Sequence, residues 1–356
     1  AASVATLVVA VIGPVFGTIA DTKNLKKKIF FAAMLVGTVS CAALGVMTHW
    51  LAFLVVFVIA KIGYSSSILF YDAMLTDVTT EERMDDVSSH GYAWGYIGSC
   101  IPFGIGLALV LGGEKLGLSM QVSMGLTFLL TALWWFLVTI PLLRQYKQVH
   151  YVENHGQIWK RSFGRLWKSL KEMRKEKHIF MFLLAFFFYI DGVYTIIEMA
   201  TAYGQSLGLD STGLLLALLV AFPFCLIFAK LAKRFSGTKL ITVCIVAYFC
   251  IAVYAIQLDR QIEFWILAVC VGMFQGGIQA LSRSYFAKII PAEKSGEYFG
   301  LLDICGKGAS FIGTTLISVV SQLTGKVNFG VGAIAIIFVI GLILFRKAAA
   351  LNSEKC

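Results

Sequence analysis

Asp191 and Glu198 stand seven residues apart in an otherwise apolar stretch, a spacing that puts both carboxyl groups on one face of a helix. Carboxyls in apolar surroundings hold a proton, or take an amino or cationic group, because burial disfavours the bare anion. Lys61, in the middle of another apolar stretch, is the complementary charge, able to pair with a carboxylate or attract an anionic solute. Gln275, Gln279 and Ser282 recur at i, i+4 and i+7 and lead to Arg283, a stripe that lines a cavity or hydrogen-bonds between helices. Lys307 either joins that polar set or pairs along its own helix with Asp303, four residues earlier.

These groups bind and move charge; nothing in the pattern cleaves a bond. No HExxH, GxSxG or paired Ser/His or Asp/Asp arrangement falls in an apolar stretch, so an enzyme is not expected. Seven of the eight cysteines (Cys41, Cys100, Cys225, Cys244, Cys250, Cys270 and Cys305) lie in apolar stretches, where free Cys is a small packing residue. Neither CxxC nor a Cys/His spacing occurs, so no metal and no other cofactor is expected.

The elements that must hold these residues are set by composition. The chain is 58% hydrophobic and only 14% charged, with a mean hydropathy of +0.81, whereas soluble domains carry roughly a quarter charged residues. A soluble fold of this composition would have no surface, so the solvent is lipid. Apolar runs of about twenty residues read as eleven spans near 1–20, 28–47, 50–70, 88–111, 120–142, 179–205, 212–232, 239–257, 263–286, 298–320 and 328–346.

Charge sorts the connections into two sets. One holds Lys23, Lys26, Lys27, Lys28, Arg83, the run from Arg144 to Lys177, Lys233, Arg234, Lys239, Arg283, Lys288, Lys294 and the tail from Arg346; the other holds only Lys115, Arg260 and Lys326. Basic residues mark the cytoplasmic side. The net charge of +10 therefore reports topology and anionic lipid rather than nucleic acid. The C-terminus is expected inside and Ala1 outside, with neither an initiator Met nor a signal-peptide pattern before it. The expectation is a multi-pass plasma-membrane protein, bacterial and monomeric, that lacks the first of twelve spans.

A constant offset of 209 residues superimposes Pro14 on Pro223, Ala20 on Ala229, Gly91 on Gly300 and Gly104 on Gly313. The same offset aligns span boundaries and lays the segment after Asp21 on Lys233 and Arg234. Repeats that keep their direction across the membrane are those of the two halves of major-facilitator transporters. The expected organisation is an N-terminal bundle over 1–142, a basic linker over 143–178, a six-helix bundle over 179–346 and a tail over 347–356. In the linker, Trp159, Phe163, Leu166, Trp167, Leu170 and Met173 recur at helical spacing opposite Lys160, Arg161, Arg165, Lys168, Lys171 and Arg174. That pattern predicts an amphipathic helix at 157–177 on the anionic inner leaflet, or a linker helix packed on the bundle.

The run Gly17-Thr-Ile-Ala-Asp21-Thr-Lys-Asn-Leu-Lys26-Lys-Lys28 resembles the signature loop between the second and third spans of the major facilitator superfamily. Thr22 replaces the usual Arg and Asn24 the usual Gly. Tyr71-Asp-Ala-Met-Leu75, Val87-Ser-Ser-His-Gly91-Tyr-Ala-Trp-Gly95-Tyr-Ile-Gly98-Ser and Gly276-Gly-Ile-Gln279-Ala-Leu-Ser282-Arg283-Ser narrow the likeness. They resemble the "unknown major facilitator" family, related to the vacuolar amino-acid effluxers of autophagy. Phe299-Gly300, Gly306-Lys307-Gly308 and Tyr189-Ile-Asp191-Gly192-Val extend it over nearly the whole chain.

The resemblance implies an all-α integral membrane protein with the major-facilitator fold, two pseudo-symmetric helical bundles and eleven visible transmembrane helices. It implies a secondary transporter that moves a small polar solute, an amino acid or similar metabolite, by alternating access. Gly17, Asp21, Lys26 and Arg283 would then serve the signature loop and gating. Proton coupling through Asp191 and Glu198 is a further expectation from their placement. Multidrug or sugar transport on the same fold is the rival, and a non-transporting receptor or scaffold a more distant one. Gly91, Gly95, Gly98, Gly104 and Gly106 are expected to let helices approach closely. Asp77, Glu81, Glu82, Asp85 and Asp86 are expected in a solvated loop or paired with the Arg83 and Arg283 regions.

Overall fold

A computed structural model describes residues 2–153, 174–206, 212–257, 261–325 and 327–354, together with Gly164 and Lys171; the side chains of 2–4, 198–206, 212–218, 261, 308–311, 327 and 328 fall outside that description. In hydrocarbon every backbone N–H and C=O must be satisfied within its own segment. The described residues accordingly form long helices: α1 (Ala2–Ala20), α2 (Lys26–Leu44), α3 (Trp50–Ala73), α4 (Met84–Gly112), α5 (Met120–Gln145), α6 (Lys177–Ser206), α7 (Thr212–Ala232), α8 (Gly237–Tyr254), α9 (Gln261–Ile289), α10 (Ser295–Thr324) and α11 (Val327–Ser353). Nine stretches among them are long and apolar enough to cross a membrane, and Ala5–Ala20 and Leu219–Ala232 are shorter apolar helices. The predicted amphipathic stretch at 157–177 lies, but for isolated positions, outside the described residues.

Large apolar side chains face outward along these helices. Val11, Val39, Leu137 and Ile343 are all more than half exposed, which only a lipid solvent makes favourable. Helix starts outside the apolar zone carry polar caps: Ser119 Oγ accepts from the Val122 N–H (3.3 Å), and His49 Nδ1 from the Leu51 N–H (3.3 Å).

The chain separates into two compact units, one of Ala1–Thr80, Gly98–Lys168 and Ile290–Asp303, the other of Glu81–Ile97, Ser169–Ile289 and Ile304–Cys356. Helices α4 and α10 each give one end to either unit. Within the first, α2 and α3 meet where Gly63 lies against Gly37; a Cβ on Gly63 would stand 2.4 Å from the Gly37 nitrogen. Within the second, Phe182, Tyr285, Phe286 and Phe345 stack between α6, α9 and α11, with ring centroids 5.1–6.2 Å apart. Small residues and aromatics do this packing because lipid supplies no hydrophobic drive between helices.

The glycine expectation holds in part. Gly106 packs on Thr127, but Gly95, Gly98 and Gly104 have nothing within 4 Å of a would-be Cβ among the described residues. Helix α4 packs on its neighbours through Ala93 and Tyr96, and these three glycines lie at positions that no other described residue approaches.

Candidate functional site

The basic-side end of α1 turns sharply into α2. The Asp21 N–H donates to the Gly17 carbonyl (3.0 Å), and Asn24 takes φ 62°, the left-handed turn that Asn accepts in place of the usual Gly. Gly17 is needed for contact rather than for the turn. A Cβ there would stand 2.2 Å from the Gly296 carbonyl oxygen, and one on Gly296 2.7 Å from the Gly17 oxygen. Two backbones therefore touch where α1 meets the start of α10.

That contact delivers Asp21 to a helix end. Its Oδ1 accepts the Gly296 N–H at 2.7 Å and its Oδ2 the Glu297 N–H at 2.9 Å, so a loop carboxylate caps the N-terminus of the thirty-residue α10. Beside it Lys26 is wholly buried, with Nζ 2.9 Å from Asp77 Oδ2, 2.8 Å from Ser295 Oγ and 3.9 Å from Asp21 Oδ1. Asp77 is equally buried and accepts from the Tyr146 hydroxyl (2.5 Å) and from the N–H groups of Val149 (3.1 Å) and His150 (2.8 Å). Gln148 ties the turn together, donating to the Ala20 carbonyl (3.2 Å) and accepting the Lys26 N–H (3.3 Å).

Burial pushes the Asp21 carboxyl up to about 7, against the lowering pull of Lys26 and the two backbone donors, while the Glu297 carboxyl adds to the rise. Burial and the adjacent Asp77 likewise raise the Tyr146 phenol, which stays a donor.

One sequence expectation changes here in part. Glu81 and Glu82 are exposed, as in a solvated loop, but Asp77 pairs with the buried Lys26, Asp85 with Lys288 (2.7 Å) and Asp86 with Lys233 (3.2 Å) rather than with Arg83 or Arg283.

The repeat reappears in these contacts. The 209-residue offset carries Asp86, at the start of α4, onto Ser295, at the start of α10, and the turn after α1 onto the turn after α7. In one repeat the turn supplies a carboxylate to a helix N-terminus; in the other it supplies Lys233 to Asp86. Close by, the buried Arg283 donates from Nε to Ser88 Oγ (2.9 Å), and its guanidinium lies 4.8 Å from the Tyr92 ring centroid.

Deeper along the helices, Asp191 on α6 is fully buried and accepts the Gly313 N–H at 3.2 Å, with the Thr195 hydroxyl 3.5 Å away. Gly313 must stay Gly: a Cβ would stand 2.2 Å from Thr195 Oγ1. Glu198 continues α6, but its side chain lies outside the described residues. Gln279 accepts from the Tyr96 hydroxyl (2.9 Å) and Ser282 Oγ shares a hydrogen bond with the Tyr189 hydroxyl (2.7 Å); Gln275 is half-buried one turn before. Lys307 is half-buried on α10. Lys61, at the middle of α3, is half-buried with neither an ion pair nor a side-chain hydrogen bond among the described residues. No group of three or more potential metal ligands occurs among them.

Residues 1–82 and 75–355 match the family model described as vacuole effluxer Atg22 like. The chain belongs to this Atg22-like family. The uncharacterized MFS-type transporter YxiO of Bacillus subtilis (strain 168) is 45% identical over 350 residues, 96% of this chain and 82% of that protein. Autophagy-related protein 22 of Kluyveromyces lactis is 24% identical over 286 residues, 73% of this chain but only 57% of the yeast protein. Among solved structures, the E. coli fucose:proton symporter FucP superposes with a TM-score of 0.75 at 17% identity, covering 98% of this chain and 90% of its own. The human organic anion transporter MFSD10 gives 0.72 at 15% identity, covering 97% and 82%. At such identities the likeness shows the fold.

This Atg22-like chain is therefore a multi-pass major-facilitator transporter and not an enzyme. Sequence reasoning placed Gly17, Asp21 and Lys26 in one loop but missed Asp77, Tyr146, His150 and Glu297 beside them. The 209-residue offset lays the turn after Asp21 on Lys233 and Arg234 and gave no sign of its contact with the start of α10.

Proposed function

We propose that this Atg22-like transporter moves a small polar solute, an amino acid or similar metabolite, by alternating access of its two halves, 1–142 and 179–346. The observation that carries the reading is Lys61. A cation at the middle of a span costs about 2.5–3.5 kcal/mol on insertion scales, and this one has no counter-charge among the described residues, so the carboxylate of a solute is its natural complement. The effluxer description of the family supports the transport of a solute.

Asp191, fully buried on α6, and Glu198, two turns along, are the groups for proton coupling; Gln275, Gln279 and Lys307 complete the polar pathway. Gly17, Asp21 and Lys26 in the signature loop, and Arg283 in the second unit, are assigned to gating. The setting is a bacterial cell membrane with the C-terminus cytoplasmic and 157–177 on anionic lipid.

The test is counterflow of a labelled amino-acid mixture in proteoliposomes. Transport is expected in the wild type, to be lost in Lys61→Met and partly kept in Lys61→Arg. Transport that ignores both an imposed pH gradient and Asp191→Asn would remove proton coupling, and an intact Lys61→Met would remove the carboxylate site.

A further inference from the structure

Tyr96 of α4 lies against α9 between two amides that stand about one turn apart. Its hydroxyl donates to Gln279 Oε1 at 2.9 Å, and the Gln275 side chain makes a second hydrogen bond to the same phenol. A phenol has one proton to give. With that proton on Gln279, the bond from Gln275 runs from its amide N–H to the phenol oxygen. Room for the ring comes from Gly276: a Cβ there would stand 2.9 Å from Tyr96 Cε2 and would collide with Cys225 Sγ of α7. The ring is buried with Ala93, Ala221 and Cys225, and that packing fixes where its hydroxyl points.

These bond directions leave each amide with a different group to offer. Gln279 has engaged its carbonyl oxygen and keeps its N–H donors; Gln275 has engaged an N–H and keeps its carbonyl oxygen as an acceptor. Neither side chain makes another hydrogen bond among the described residues. Both amides are half-buried. The exposed large apolar side chains of α9, among the described residues, are Ile262 and Ile266. Ile266 and Gln275 are separated by about two and a half helical turns, which sets them on opposite faces. The two amides therefore open on the face turned from lipid, where unspent polar groups call for a polar ligand.

We propose that Tyr96 is a positioning residue of the solute site. It polarises the Gln275–Gln279 pair, so that the Gln275 carbonyl accepts the ammonium group of an amino acid and the Gln279 N–H groups donate to one of its oxygens. This assignment rests on the amino-acid reading given above. An ammonium on a carbonyl is a charge-assisted hydrogen bond, stronger than a neutral one, and a site shielded from water strengthens it further. Without the phenol either amide can turn end for end, and an ordered acceptor and donor become two interchangeable groups. The polarised pair thus tells an amino acid from the same acid lacking its amino group, whereas a cation such as Lys61 attracts the carboxylate of both.

The experiment is counterflow of the labelled amino-acid mixture in proteoliposomes of the full chain. The competitors are unlabelled L-amino acids and the matching deamino acids, in which hydrogen replaces the ammonium group. In the wild type the amino acids should compete about tenfold or more better than their deamino counterparts, the size of one charge-assisted hydrogen bond. Tyr96→Phe keeps the ring on Gly276 and should cut that ratio to about threefold or less, and Gln275→Met should do the same. Gln279→Met should weaken both series alike and leave the ratio standing. A wild-type ratio near unity overturns the proposal while the carboxylate site at Lys61 stands. A ratio that survives Tyr96→Phe, both series weakening equally as they would for a merely structural residue, also overturns it. A wild type that carries no amino acid overturns the functional reading and this assignment with it. Should Tyr96→Phe fail to fold, the ratio in Gln275→Met decides.

Discussion

Lys26 and Asp77 form an ion pair 2.9 Å long in which neither side chain has any exposed surface. A buried pair of this kind is not a large net source of stability, since desolvation offsets most of the attraction, but breaking it strands a charge. Lys26→Met alone, or Asp77→Leu alone, should destabilise by about 3–5 kcal/mol. The double variant should recover most of that loss. Thermal unfolding of all four proteins in one detergent closes the cycle.

The repeat-related pair Lys233–Asp86 should behave differently. Its side chains are 64% and 22% exposed, so water and salt screen it. Lys233→Ala should change stability by less than about 1 kcal/mol, and the effect should vanish in high salt. Equal losses at Lys26 and Lys233 would show that burial does not separate them.

Gly17 admits no side chain. Gly17→Val should disrupt the contact with Gly296 and cost about 1–3 kcal/mol or more, as overpacking does. Gly104→Ala, at open space, should cost little, although Gly104 and Gly313 are equivalent in the repeat. Gly313→Ala, by contrast, would drive a methyl against Thr195. Melting temperatures of these variants rank the three sites.

Stability should carry a pH slope from Asp21. Its carboxyl is raised from 3.8 to about 7 in the fold, so the native state binds the extra proton and the contribution is greatest below about 4. It is lost as pH rises towards about 7 and is flat above. Denaturation midpoints of wild type and Asp21→Asn should therefore converge at the acid end and separate near neutrality, with Asp21→Asn the steadier of the two.

Much of this architecture was legible because lipid writes a simple code. Apolar length gave the helices, and α3, α5 and α9 fall within a few residues of the expected spans. Family resemblance and the repeat pointed to the major-facilitator fold that FucP then matched. The cluster at Asp21 was only half legible. Asp77 sits among Glu81, Glu82, Asp85 and Asp86, and nothing local distinguishes the carboxylate that turns inward to Lys26 from the exposed Glu81 and Glu82. Lys26 is likewise the first of three consecutive lysines, and helical phase at the start of α2 selects it for the interior. Partners 51 and 269 residues away cannot be read from spacing. For the same reason Gly98 and Gly106 look alike in sequence, while only Gly106 finds a neighbour.

The two contacts related by the repeat are built from unlike chemistry: a dry carboxylate on backbone amides at α10, and a wet lysine–aspartate pair at α4. Dissolved ions within a Debye length of about 8 Å weaken the second and scarcely reach the first. A cell that loses water and concentrates its salts would therefore loosen one half of a duplicated device while leaving its twin intact.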